Sequence, residues 1–120
     1  MIKPRLLTPE EVVFTVEAQP EHTQIKGNCS AIDPETDVET EKWIVDQLNE
    51  GNEWAWCCVK VSALWRGLEG TAYLGCCSYA SKADFMQPDG YYDDLKADAL
   101  ADLQQQIDSV IEGVNEGAAK

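Results

Sequence analysis

Positive charge is scarce in this chain. Nine Lys and Arg stand against 22 Asp and Glu, for a formal net charge of −13. Such a molecule is repelled by nucleic acid and by anionic membrane surfaces, and it favours basic partners. Histidine is scarcer still. His22 stands alone, in a polar turn after Pro20, where it reads as a solvent-exposed side chain rather than half of a Cys–His catalytic pair. Long apolar runs are lacking, so no stretch reaches the length of a membrane span. The basic start Met-Ile-Lys-Pro-Arg has no apolar signal-peptide core. There is no Gly-rich phosphate loop, no Gly-x-Ser-x-Gly and no His-Glu-x-x-His. These absences point away from an enzyme and towards a cytosolic protein.

The five cysteines lack the pattern of a secreted disulfide framework: the number is odd, and four fall in adjacent pairs, Cys57-Cys58 and Cys76-Cys77. The pairs also lack the spacer of a zinc site. Adjacent residues of a strand point to opposite faces, so four sulfurs arranged this way do not converge on one metal. We therefore expect no metal and no cofactor. The geometrically closest disulfide is Cys58–Cys77 across two strands, but in cytosol small buried thiols are the expectation.

What is present is organised around Asn52–Ala80, which holds three of the four Trp and four of the five Cys. Both arms are rich in β-branched, aromatic and Cys residues, as strands are. Gly67 to Gly70 is the expected turn. Ala55, Cys57, Val59, Val61, Ala63 and Trp65 alternate onto the core face, matched by Ala72, Leu74, Cys76 and Ser78. This places Val61 near Leu74 and Val59 near Cys76. Trp54, Trp56, Tyr73 and Tyr79 then form an outer aromatic face, either a protein-binding or dimer surface or a face covered by the loop 81–90. Gly75, in mid-strand, suggests a bulge or a close backbone approach.

Glu11–Ala18 alternates and reads as a strand, and Thr23–Ala31 as a weaker second one. Asp33-Pro34 supplies a cap and first position for a helix running to about Glu50 and stopping at Gly51. Its inner face is Val38, Glu41, Val45 and Leu48 with Ile44. Ser81–Gln87 is a loop or single helical turn. From Tyr91 to about Val114, Tyr92, Leu95, Ala99, Leu103, Ile107, Val110 and Val114 recur at steps of three and four, the mark of an amphipathic helix. The expected fold is α+β, a four-stranded antiparallel sheet with two helices on one face, in the order ββαββα. Residues 1–120 form one domain, with 1–10 a leader and 115–120 a frayed tail.

Three runs carry a resemblance: Gly-Asn-Glu-Trp-Ala-Trp-Cys-Cys-Val (51–59), Tyr-Leu-Gly-Cys-Cys-Ser-Tyr (73–79) and Gly-Tyr-Tyr-Asp-Asp-Leu (90–95). Over roughly Gly27 to Leu103 the chain resembles a group of small bacteriophage- and prophage-encoded proteins to which no activity is assigned. No functional residue carries over. The resemblance implies a mobile-element protein working in the cytosol of a bacterial host.

Acidic residues are segregated. Eight fall in 33–53 and eight in 89–116, each window holding one Lys, while 54–80 has only Glu69. Asp94, Asp98, Asp102, Asp108 and Glu112 form a stripe nearly opposite the apolar one on the last helix. Glu39, Asp46 and Glu50 share a face beside Trp43 on the first. The expected function is non-enzymatic: inhibition of a host defence nuclease, of anti-CRISPR or anti-restriction type, by carboxylates occupying a groove that holds phosphates. The partner would be a basic nucleic-acid-binding defence component, with neither nucleic acid nor membrane contacted directly. The alternative is a dimeric accessory module binding another host protein through the aromatic face around Trp54 and Trp56.

Overall fold

The computed structural model of the protein describes residues 5–26, 28, 34–88 and 90–118. Strand β1 (Val13–Gln19) leads to helix α1 (Pro34–Asn49) and a 3-10 turn (Glu53–Ala55). Strands β2 (Cys57–Trp65) and β3 (Leu68–Cys77), the short helical turn α2 (Lys82–Phe85) and the long helix α3 (Tyr91–Ala118) follow. The fold is α+β, and the sheet is antiparallel and three-stranded, in the order β1-β2-β3. The second strand expected at Thr23–Ala31 is not formed by its described part: Thr23–Lys26 is irregular, and Asn28 donates its N–H to the Ile25 oxygen in a turn. The rest of that stretch, and the cap expected at Asp33, lie outside the described residues.

Alternation builds the core face of the sheet. Phe14, Val16 and Ala18 of β1 lie level with Ala63, Val61 and Val59 of β2, which lie level with Gly70, Ala72 and Leu74 of β3. Val59, Val61 and Ala63 are completely buried. The hairpin turn is Arg66-Gly67, two residues before the expected centre, and both residues have positive φ (46° and 81°). Two such residues suit the twist of the flanking strands. The pairing is accordingly two residues from the expected one: Val61 faces Ala72 and Val59 faces Leu74. A shift of two keeps every side chain on its face.

Beyond Leu74 the faces do change. One extra residue of β3 lies between the Cys57–Cys77 and Val59–Leu74 pairs, at the bulge that Gly75 suggested. Cys77 therefore turns into the core and Cys76 out of it, the reverse of the expected assignment.

Gly70 is a packing residue. A Cβ there would collide with the Ala99 carbonyl oxygen and stand 2.5 Å from the Leu103 nitrogen. Its absence lets the α3 backbone lie directly on β3. Leu95, Ala99, Leu103 and Ile107 are buried against the sheet, the stripe expected from the sequence. The helix continues to Ala118, four residues past the expected end.

Helix α1 is placed differently from expectation. It packs chiefly on the 3-10 turn Glu53–Ala55 rather than beside α3 on the sheet. Among its described side chains the buried anchor is Ile44, joined by Ala55, Trp56 and the half-buried Ile25. Val38, Val45 and Leu48, expected on the inner face, are exposed. Gly51, at φ 94°, ends the helix as expected, with its N–H donated to the Leu48 oxygen at 3.0 Å.

Candidate functional site: the carboxylates of the two long helices

A helix of 28 residues is about 42 Å long. Because its apolar stripe is fixed against β2 and β3, the side facing away is fixed too. Asp94, Asp98, Asp108 and Glu112 are exposed on that outward side. Between Asp98 and Asp108 the same side carries Ala101 and Gln105, so the charge falls into two groups separated by about 15 Å along the axis. The Asp108 carboxylate accepts from Gln104 Nε2 at 3.0 Å. Lys96 is turned the other way, over the Tyr92 ring at 4.5 Å and paired with Asp93 at 3.4 Å.

Asp102 does not belong to this outward row. Its carboxylate accepts the Thr71 N–H at 2.9 Å and Gln106 Nε2 at 3.3 Å. Gln106 also donates to the Glu69 main-chain oxygen at 2.8 Å. Two side chains of α3 thus satisfy polar groups along the open edge of β3, where unpaired main chain would otherwise invite another strand. On the other side of the helix Gln104 accepts the Leu7 N–H at 2.9 Å and donates to the Arg5 oxygen at 2.7 Å, holding the segment before β1.

On α1, Glu39, Asp46 and Glu50 are exposed, and the Trp43 ring among them is 41% exposed. These four keep the arrangement the sequence suggested.

The outer aromatic face does not form. Trp54 lies in the 3-10 turn rather than in strand geometry, and its ring is buried 5.9 Å from Phe85. Tyr79 meets the same Phe85 edge-on at 5.0 Å. Trp56 is buried beneath Ile44, with its Nε1 donating to the Thr23 oxygen at 2.8 Å. Phe85, from the loop 81–90, therefore covers Trp54 and Tyr79, and α1 covers Trp56. Tyr73 is the one ring of the four left exposed.

Glu21 has a role that no motif or spacing marks in advance. Its carboxylate accepts the main-chain N–H groups of Cys76, His22 and Thr23. The Cys76 bond, foremost among these, holds the carboxyl below its ordinary value. Cys76 itself has φ 54°, a left-handed conformation unfavourable for a residue with a Cβ, so Glu21 braces the bulge. The thiols of Cys57, Cys58, Cys76 and Cys77 are free, and the pair directly opposed is Cys57 and Cys77, not Cys58 and Cys77. Burial pushes Cys57 up to about 12 and Cys77 to about 11. Among the described residues no group of three or more His, Cys, Asp and Glu is placed to hold a metal ion. No described helix is long and apolar enough to cross a membrane.

The class that these observations define is an α+β protein with a three-stranded antiparallel sheet and carboxylate-rich outward helical faces. No protein-family model matches the chain, and comparison with curated proteins and with solved structures finds no similar one.

Proposed function

We propose that the protein is a non-enzymatic inhibitor that offers the outward carboxylates of α3 and α1 to a basic groove of a nucleic-acid-handling protein. In the bacterial setting implied by the phage resemblance, that target is a component of a host defence nuclease. The supporting observation is the exposed set Asp94, Asp98, Asp108 and Glu112 on a long helix whose own cation among the described residues, Lys96, faces elsewhere. Carboxylates held on a straight scaffold compete with phosphates for the same Lys and Arg side chains. Trp43, among Glu39, Asp46 and Glu50, adds a flat ring on which a guanidinium stacks. Trp54 and Trp56 are buried within the chain, so this reading rests on the carboxylate faces.

The test is capture of host proteins on the immobilised chain at low and high salt, followed by affinity measurement with the captured component. Replacing Asp94, Asp98 and Asp108 by Asn and Glu112 by Gln leaves the melting temperature within a few degrees and weakens binding at least about ten-fold at low salt. Unchanged affinity in the quadruple variant would overturn the proposal.

A further inference from the structure

The two adjacent cysteine pairs meet across the hairpin, and the bulge decides how. Cys57 and Cys77 are directly opposed, and both lie in the core. Between that pair and Val59–Leu74, β2 contributes one residue, Cys58, while β3 contributes two, Gly75 and Cys76. Cys58 therefore lies opposite Gly75-Cys76, on the side of the sheet away from the core. Residues opposed across antiparallel strands stand about 4.5–5.5 Å apart between Cα atoms. That is within the span of roughly 4.4–6.8 Å that a disulfide bridges.

One carboxylate serves both residues. Glu21 accepts the Cys76 N–H, and its Oε1 stands 3.0 Å from where Gly75 would carry a Cβ. Burial first, then the Glu21 charge and the Cys76 thiol, push the Cys58 thiol up. Both thiols are free, with Cys76 exposed and Cys58 half-buried. Cys76 also opens on a surface hollow of about 270 Å³, lined in addition by Leu74, Ser78, Tyr79 and Tyr91.

We propose that Cys58 and Cys76 form a dithiol that a small disulfide oxidises, a modification site on the outer face of the hairpin. The hollow beside Cys76 gives the reagent room. Glu21 and the net charge of −13 favour a reagent that carries amines rather than carboxylates. The Cys76 thiolate attacks one sulfur of the reagent RSSR. The reagent's S–S bond breaks, RS⁻ leaves with the proton that Cys76 gave up, and Cys76 carries a mixed disulfide. The Cys58 thiolate then attacks the Cys76 sulfur, and its proton goes to the second RS⁻. The products are a Cys58–Cys76 disulfide and two RSH, so the reagent gains the two electrons that the chain loses. Cys76 reacts first because it is the exposed member of the pair. Cys57 and Cys77 stay reduced because both are buried. In a reducing cytosol the dithiol persists, and the bond forms where small disulfides accumulate.

The test treats the folded full chain with cystamine, quenches with acid and maps the cysteines by fragmentation mass spectrometry. The chain should lose two hydrogens, with the new bond joining Cys58 to Cys76. Cys58→Ser should stop at the mixed disulfide, holding one cysteamine on Cys76. Cys76→Ser should slow modification of Cys58 at least about ten-fold, because the remaining thiol is half-buried and raised. Both variants should melt within a few degrees of the parent, since neither side chain belongs to the core. A parent chain that accumulates the mixed disulfide without closing the bond overturns the proposal. So does a bond mapped to Cys57 and Cys77, or a folded chain that cystamine leaves untouched.

Discussion

Glu21 is the residue on which the end of the hairpin leans. Three main-chain N–H groups converge on one carboxylate, and the charged form accepts them best. Because its folded value is lowered, the stabilisation is complete above the ordinary carboxyl value of 4.5 and is lost as pH falls through the lowered one. Urea midpoints measured from about pH 3 to 7 should therefore fall less steeply on acidification in Glu21→Gln than in the parent. That variant should also be the less stable of the two at neutral pH. The cysteines invite a second measurement at this scale. The thiolate is the reactive form, so burial that raises a thiol's value also protects it from alkylation. Cys57 and Cys77 are buried and raised, Cys58 is half-buried and raised, and Cys76 is exposed. Among these four, brief alkylation of the folded protein followed by peptide mass mapping should find Cys76 modified first. Cys57 and Cys77 should be modified only once the chain is unfolded.

At the level of elements the structure turns on the fit of α3 to β3. Leu103 is completely buried where Gly70 admits the helix backbone. Leu103→Ala should cost about 2–5 kcal/mol, read from chemical denaturation, by leaving a cavity that the rigid sheet cannot close. Gly70→Ala, opposite in volume, should cost about 1–3 kcal/mol by forcing the helix outward. Helix α3 was legible in the sequence because it lies along a broad flat surface, so its contact imposes a regular period from Tyr92 to Ile107. Helix α1 was not, because it meets only a short turn. Among the described side chains Ile44 is the buried anchor there, and Val38, Val45 and Leu48 imitate an inner face while standing exposed. The core faces of β2 and most of β3 were readable from alternation alone. Two local departures defeated the rest: the 3-10 turn that carries Trp54 inward and the extra residue at Gly75-Cys76. Gly75 did signal a bulge, but not which of Cys76 and Cys77 it would turn inward, and nothing in the pattern marked the 3-10 turn. Asp102 shows the same limit at the candidate site. In sequence it is one of a row of aspartates at steps of four. Only the position of the β3 edge distinguishes it as a hydrogen-bond acceptor for Thr71, while Asp94 and Asp98 remain free to face solvent.

The whole molecule is elongated, with dimensions of 65 × 25 × 24 Å and a radius of gyration of 18.9 Å. A compact chain of this length would have about 14 Å. A rod of this kind meets more friction than a sphere of equal mass. The single chain should leave a size-exclusion column well ahead of its mass, and calibration against globular standards would overstate that mass. Mass measured by light scattering at low concentration should give one chain at that early volume. Tumbling is affected as well. Rotation about the long axis is fast and end-over-end rotation slow, and the amide N–H vectors of α3 lie near the long axis, sensing mainly the slow motion. Nitrogen relaxation should give these amides a longer apparent correlation time than those of the strands, so the long helix writes its direction into the NMR linewidths.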